Sequence, residues 1–218
     1  PTTWLATSSA SVVAGIWSDE PMRTIDAHTH TWGADTAELP WSETGLPPEW
    51  EGPYTVHDLV DDMDAAGVAE AVTVTTPLYG RGSRANEYTM RSIEAYPARL
   101  WGVGLMDFYG NPEDVRARLR RVVGHPRMLG VRMHACLTYE AHPTEVDRTA
   151  DWVLDEELAP VWAEAEQLDT AVFIFPKADQ LSTVATLAER YPDAQLVVDH
   201  MAFPDATTAP DESPWTDF

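Results

Sequence analysis

One lysine, Lys177, and one cysteine, Cys136, stand in this chain of 218 residues. A single cysteine excludes an intrachain disulfide and any zinc site built from several thiolates. No apolar run reaches 18 residues, so no membrane-spanning helix is expected. Positive charge is scarce: 14 Lys+Arg face 36 Asp+Glu, a net charge of −22. A nucleic-acid binder needs a basic footprint, and an anionic membrane needs one too, so both partners are excluded. No glycine-rich phosphate loop follows any predicted strand, which weakens a nucleotide-binding open sheet.

What is present argues for a folded protein. The chain is 44% hydrophobic and holds nine Trp, seven Tyr and five Phe, enough apolar area for a core. Thirteen of the 14 basic residues are Arg. A surface rich in Asp and nearly free of Lys suits a solvent dense in cations, where salt screens self-repulsion. The composition therefore points to the cytoplasm of a salt-accumulating halophile. The alternative is an ordinary acidic protein from a GC-rich genome. Residues 1–21 contain a mildly apolar stretch without a preceding positive region, so they do not read as a secretory signal. They read instead as a leader or upstream segment, with a native start at Met22 and the domain over 22–218.

From Arg23 onward strands and helices alternate. Strands are expected at 24–27, 70–75, 100–105, 129–133, 171–175 and 195–198. Helices are expected at 56–66, 86–96, 112–123, 157–168 and 179–191. Thr55 serves as an N-cap, Gly67 as a C-cap, and Pro112 as a first helical residue. The strands are short, mostly apolar and rarely alternating, as strands buried on both faces should be. This order implies a parallel α/β sheet, either doubly wound or a (β/α)8 TIM barrel. Ionisable residues cluster at strand ends: His28 and His30, Arg132 and His134, Lys177, Asp199 and His200. In a barrel those ends share one face, where barrel enzymes keep their sites, which favours the barrel. About six βα units are present, and a helix start at Ser213-Pro214 lies close to Phe218. A barrel of ~250 residues needs two more units, so a C-terminally incomplete barrel is expected.

The strongest motif is Asp26-Ala27-His28-Thr29-His30. Two His at i and i+2 on a strand point to one face and can chelate one metal ion together. Neutral imidazole suits Zn²⁺, Fe²⁺, Mn²⁺ or Co²⁺. Asp26 shares their parity and could orient the rings. The bland alternative is one structural and one surface histidine. His200, directly after a buried apolar strand, suits a ligand or a general acid/base; a structural rim histidine is the competitor. Arg132 and His134 share parity on strand four, and an Arg there can clamp a substrate carboxylate in bidentate fashion. A structural ion pair is as good a reading for Arg132 alone. Trp32, Trp41 and Trp50 could wall a pocket. Tyr79, Arg81 and Arg84 follow strand two, where an anion contact is conceivable. His57 and His125 read as surface residues, His142 stays open, and Cys136 reads as a small buried residue.

With these residues in place, the chain resembles the amidohydrolase superfamily, and within it the amidohydrolase-related branch of barrel-fold metal-dependent hydrolases. The resemblance rests on IDAHTHTW (25–32), DLVDDMDAAGVAEAVTV (58–74), YPARLWGVGLMD (96–107), LGVRMHA (129–135) and LAERYPDAQLVVDHMAFP (187–204). It implies a (β/α)8 barrel in which His28 and His30 hold a divalent metal, Zn²⁺ first and Mn²⁺, Fe²⁺ or Co²⁺ as alternatives. A metal-free route, with the two histidines on the substrate, also occurs in the branch. His200 matches the strand-six histidine and is the expected catalytic residue. Arg132, His134 and Lys177 are expected to bind the substrate. The activity implied is hydrolysis of a lactone or a related C–O or C–N bond in a small, anionic molecule. A decarboxylase of unsaturated or aromatic acids on the same barrel and a non-catalytic fragment are the rivals. A homo-oligomer is compatible with this reading. Two departures stand out. The end of strand five reads Phe173-Ile174-Phe175-Pro176-Lys177, without the histidine many members place there. The family's strand-eight Asp would fall beyond Phe218, so inactivity is expected unless that segment is supplied.

Overall fold

The structure, a computed structural model, describes residues 23–43, 45, 50, 52–80, 84–135, 151–202, 211–212 and 216. Six strands and five α-helices alternate along them. They are β1 (Ile25–Thr29), α1 (Val56–Ala66), β2 (Glu70–Val74), α2 (Glu87–Ala95), β3 (Leu100–Gly104), α3 (Pro112–Val123), β4 (Met128–Met133), α4 (Ala159–Leu168), β5 (Ala171–Ile174), α5 (Leu181–Arg190) and β6 (Gln195–Val198). The proposed leader, Cys136, His142, Arg81 and the helix start at Ser213 lie outside the described residues.

Local chemistry sets the helix ends. Thr55 and Asp58 form a reciprocal capping box at the start of α1, and Gly67 closes it at φ 71, a left-handed conformation that favours glycine. Asn111 caps α3 through Glu113 N at 2.9 Å, with Pro112 at the first helical position. α4 begins at Ala159, two residues later than the sequence suggests. Pro160 sits in its first turn, where a missing N–H costs nothing, and Glu156–Leu158 forms a 3-10 turn instead.

All five strand pairings are parallel, in the order β1-β2-β3-β4-β5-β6. Each strand is added on the same side of the last. A doubly wound sheet reverses direction at a switch point, so this order is that of a barrel wall. The curl of the wall is measurable. In a flat sheet, five gaps of about 4.8 Å would hold β1 and β6 about 24 Å apart. The ring of His28 on β1 nevertheless lies 4.5 Å from that of His200, directly after β6. The fold is thus six parallel strands and five intervening helices of a (β/α)8-type wall. Its two edge strands carry exposed apolar side chains, Ile25 at 51% and Val197 at 38%.

Side chains alternate between two cores. The larger lies between sheet and helices and includes Leu100, Leu119, Met133, Trp162 and Ile174. The smaller fills the concave face with Val72, Val74, Val103 and Phe173. Gly130 on β4 is required by close approach, because a Cβ there would run into the backbone carbonyl of Ala171 on β5. At the start of β2, buried Glu70 takes Arg23, Arg127 and the Trp101 indole N–H, closing the end of the wall opposite the histidines.

Candidate active site

The concave face turns from apolar to ionisable at the C-terminal ends of the strands. His28 and His30 come from β1, Arg132 and His134 from β4, and Asp199 and His200 from β6. Strand parity sends His28, His30, Arg132, His134 and Asp199 inward, a left-handed turn after β6 brings in His200, and the curl brings the three strands together.

The two β1 histidines face each other, with Nε2 of His28 3.3 Å from Nε2 of His30. His30 Nδ1 lies 2.7 Å from the carbonyl oxygen of Val74 on β2. A carbonyl only accepts, so His30 donates its proton there and its Nε2 carries a lone pair. His28 Nδ1 faces Asp199 Oδ1 at 3.7 Å, an electrostatic contact longer than a hydrogen bond. Both outer nitrogens thus face oxygens, and both inner nitrogens converge on one point. Asp26 does not orient the rings. Its Oδ1 accepts from the His28 backbone N–H at 3.0 Å.

Arg132 is the centre of the second group. Its Nε donates to Asp199 Oδ2 at 2.6 Å, NH1 lies 3.3 Å from His134 Nε2, and NH2 lies 3.2 Å from His200 Nε2. Arg132 is 4% exposed, Asp199 5% and His134 5%. The carboxylate that Arg132 clamps is therefore one of the protein's own. Phe175 occupies the end of β5, edge-on to His134 (5.9 Å) and His200 (5.1 Å), with the Arg132 guanidinium 4.5 Å from its ring centre. The residues 200–202 all adopt positive φ (52°, 50° and 58°), a strained left-handed turn that carries His200 off the end of β6.

The electrostatics follow from burial and from these pairs. Burial pushes the His30 imidazole down to about 4, against the opposing hydrogen bond to Val74. His200 is also lowered, first by burial and then by its neighbours His28 and Arg132. For Asp199 burial acts upward, but His28 and Arg132 outweigh it and hold the carboxyl below its ordinary value. At neutral pH this gives neutral His30 and His200 around an ionised Arg132–Asp199 pair.

The remaining predicted residues are spread around this centre. Lys177 is exposed on the loop after β5, where its backbone N–H donates to Gln180 Oε1 at 2.9 Å. Gln180 is buried and ties that loop to Ala135 O through Nε2 at 2.8 Å. Trp32 and Trp50 stack at 4.0 Å, and Trp50 lies 6.3 Å from His30. Trp41 and Tyr79 serve the loop itself, both bonding the Gly33 carbonyl. His57 pairs with Tyr96 OH at 2.6 Å and His125 with Glu94 at 3.3 Å, both away from the site. Sequence reasoning gave Asp199 no role of its own. The signal was available, because it shares the inward parity of Arg132. The Val74 carbonyl has no side-chain signal at all.

The profile of the family described as amidohydrolase matches residues 25–218. The chain is a member of the amidohydrolase family. Solved structures with the same fold agree. A probable 2-pyrone-4,6-dicarboxylic acid hydrolase from Acinetobacter baumannii, with citric acid bound, matches at TM-score 0.64 and 18% identity, over 90% of this chain and 65% of that one. An amidohydrolase from Burkholderia multivorans with bound zinc matches at TM-score 0.62 and 19% identity, over 84% of this chain and 59% of that one. An Agrobacterium tumefaciens protein matches at 0.59 and 17%, over 90% and 63%. This amidohydrolase chain therefore spans roughly three fifths of the length of these structures. No curated protein matches it in sequence. Among the described residues, no helix is long and apolar enough to cross a membrane.

The metal expected of an amidohydrolase can be tested against the donors. Two nitrogens on one tetrahedral zinc, at about 2.0–2.1 Å each, stand about 3.3 Å apart. His28 and His30 Nε2 have that separation. Their lone pairs would repel without a cation or proton between them, and their other nitrogens face a carbonyl and a carboxylate, a common arrangement around metal-binding imidazoles. His28 and His30 thus fit two positions of a site. His200 Nε2 faces the Arg132 guanidinium and does not add a third. Among the described residues no group of three or more His, Cys, Asp or Glu is arranged to hold a metal.

Proposed function

We propose that this amidohydrolase opens a lactone, or hydrolyses a related C–O or C–N bond, in a small anionic substrate, with a divalent metal held by His28 and His30. The observation that carries this is the Nε2 pair at 3.3 Å, with each outer nitrogen facing an oxygen. Zn²⁺ suits two neutral imidazoles best, with Mn²⁺, Fe²⁺ and Co²⁺ as alternatives. A metal bound there supplies a hydroxide from water at neutral pH and polarises a carbonyl oxygen.

The chain's own residues do the rest. Val74 and Asp199 fix the two β1 imidazoles. His200, neutral and exposed beside His28, meets the substrate. Lys177 offers positive charge on the loop after β5. Arg132 and His134, buried behind His200, act on substrate through it. The stacked Trp32 and Trp50 wall the His30 side against a ring or other planar group. The citric acid in the Acinetobacter neighbour supports an anionic substrate, and the zinc in the Burkholderia neighbour supports the metal. The acidic, lysine-poor surface supports a working place in the cytoplasm of a salt-accumulating cell.

Metal analysis and product analysis test this reading. Zinc bound by the wild type and lost in His28→Ala/His30→Ala supports the metal site; equal zinc in both removes it. A panel of anionic lactones, followed by acid release, should yield ring-opened acids. Released CO₂ from unsaturated or aromatic acids would move the assignment to a decarboxylase.

A further inference from the structure

Arg132 meets three residues that the proposed chemistry depends on, and its own chemistry constrains all of them. A guanidinium has N–H donors on every nitrogen and no lone pair to offer. Nε donates to Asp199, NH1 faces His134 Nε2 and NH2 faces His200 Nε2, at 2.6, 3.3 and 3.2 Å. A ring nitrogen facing a guanidinium N–H must accept. Each of these Nε2 atoms therefore carries a lone pair, and each neutral ring holds its proton on Nδ1.

We propose that Arg132 is a positioning residue that fixes His134 and His200 as Nδ1–H tautomers, rather than a clamp for a substrate carboxylate. Asp199 holds the guanidinium by its Nε, which leaves the two outer nitrogens aimed at the two rings. Phe175 packs edge-on to both imidazoles and beneath the guanidinium, which resists rotation of either ring. A substrate clamp needs an exposed guanidinium edge, and Arg132 is 4% exposed.

The consequence for the reaction rests on the reading of this face as the active site. With Nε2 turned to Arg132, His200 cannot accept a proton from water at that atom. Its proton then sits on Nδ1, which makes that atom a donor. A substrate group that meets His200 at Nδ1 must then be an acceptor oxygen, a carbonyl or the oxyanion that develops from it. His134, 5% exposed, stays behind as part of the support.

Long-range ¹H–¹⁵N spectra of the uniformly ¹⁵N-labelled full chain test the assignment, at about one unit above the ordinary imidazole pKa of ~6.5. His134→Gln and His200→Gln identify the two rings by loss of their signals. Both wild-type rings should show the Nδ1–H pattern, with Nε2 at the deshielded, lone-pair position. Arg132→Lys keeps a positive charge beside Asp199 but loses the planar fork. In it His200 should move toward the Nε2–H tautomer that free imidazoles prefer in water. An Nε2–H signal from either ring in the wild type overturns the proposal, as does an unchanged His200 in a folded Arg132→Lys protein. If Arg132→Lys does not fold, the wild-type spectrum alone decides. Neither tautomer depends on zinc binding or lactone opening, so this proposal and the functional one fail separately.

Discussion

The rings of His28 and His200 lie 4.5 Å apart although they belong to opposite edges of a six-stranded sheet. Only curvature makes them neighbours. The contact joins the proposed metal pair on β1 to the Arg132 group shared by β4 and β6. Asp199 is the second link, with Oδ2 on Arg132 and Oδ1 facing His28.

This arrangement predicts a graded metal response. His28→Ala or His30→Ala removes a donor and should abolish zinc binding. Asp199→Asn removes the charge behind His28 and should weaken zinc by about 10–100-fold. His200→Ala should weaken it by less than about tenfold, because its Nε2 is turned to Arg132. Competition with a chromophoric chelator reads all four proteins. A loss with His200→Ala as large as with His28→Ala would make His200 a ligand.

The Arg132–Asp199 pair is also a stability element. Removing one partner strands a buried charge, at a cost of about 3–5 kcal/mol. Asp199→Leu and Arg132→Met should each lower the urea midpoint strongly. The double variant Arg132→Met/Asp199→Leu should lose less than the sum, since no unpaired charge remains. Additive losses would mean that the two side chains do not pair in solution.

Much of this fold could be read from the sequence where local chemistry decides it. Thr55 and Gly67 bracket α1 at the residues expected, and β6 falls on 195–198 as expected. The inward direction of His28, His30 and His134 follows from strand parity. What could not be read depends on curvature or on backbone. The Arg132–Asp199 pair spans 67 positions and exists only because β4 and β6 face one concave surface. The Val74 carbonyl leaves no trace in residue type. The left-handed turn at 200–202 contains no glycine to announce it. Asp26, which had the right parity to orient the rings, is taken up by a backbone amide two residues on.

Acid should destabilise the metal-free protein through His30. Burial holds its folded value at about 4, against 6.5 for the ordinary imidazole. Between those values the unfolded chain binds a proton that the folded chain excludes, so stability falls as pH falls. Above the unfolded value the contribution is intact, and it is lost as the pH drops through the window to the folded value. Denaturant midpoints of wild type and His30→Gln, measured with chelator present across this window, should converge toward its acid end. Parallel curves would place the His30 imidazole in water.

The charge balance makes the last prediction. A net charge of −22 on 218 residues repels itself at low salt, since 14 Lys+Arg stand against 36 Asp+Glu. The Debye length shrinks from about 10 Å at 0.1 M salt to about 3 Å at 1 M, which removes most repulsion between separated surface carboxylates. The buried Arg132–Asp199 pair lies out of reach of that screening, so it should hold while the surface relaxes. The melting temperature should therefore rise steadily as KCl is raised from about 0.1 M to 1 M and beyond. Replacing exposed acids such as Asp61, Glu94 and Glu189 with lysine should flatten the rise by raising stability at low salt, with little change at high salt. A melting temperature that is flat or falling with KCl in the unaltered chain would remove the halophilic reading and leave an ordinary acidic protein.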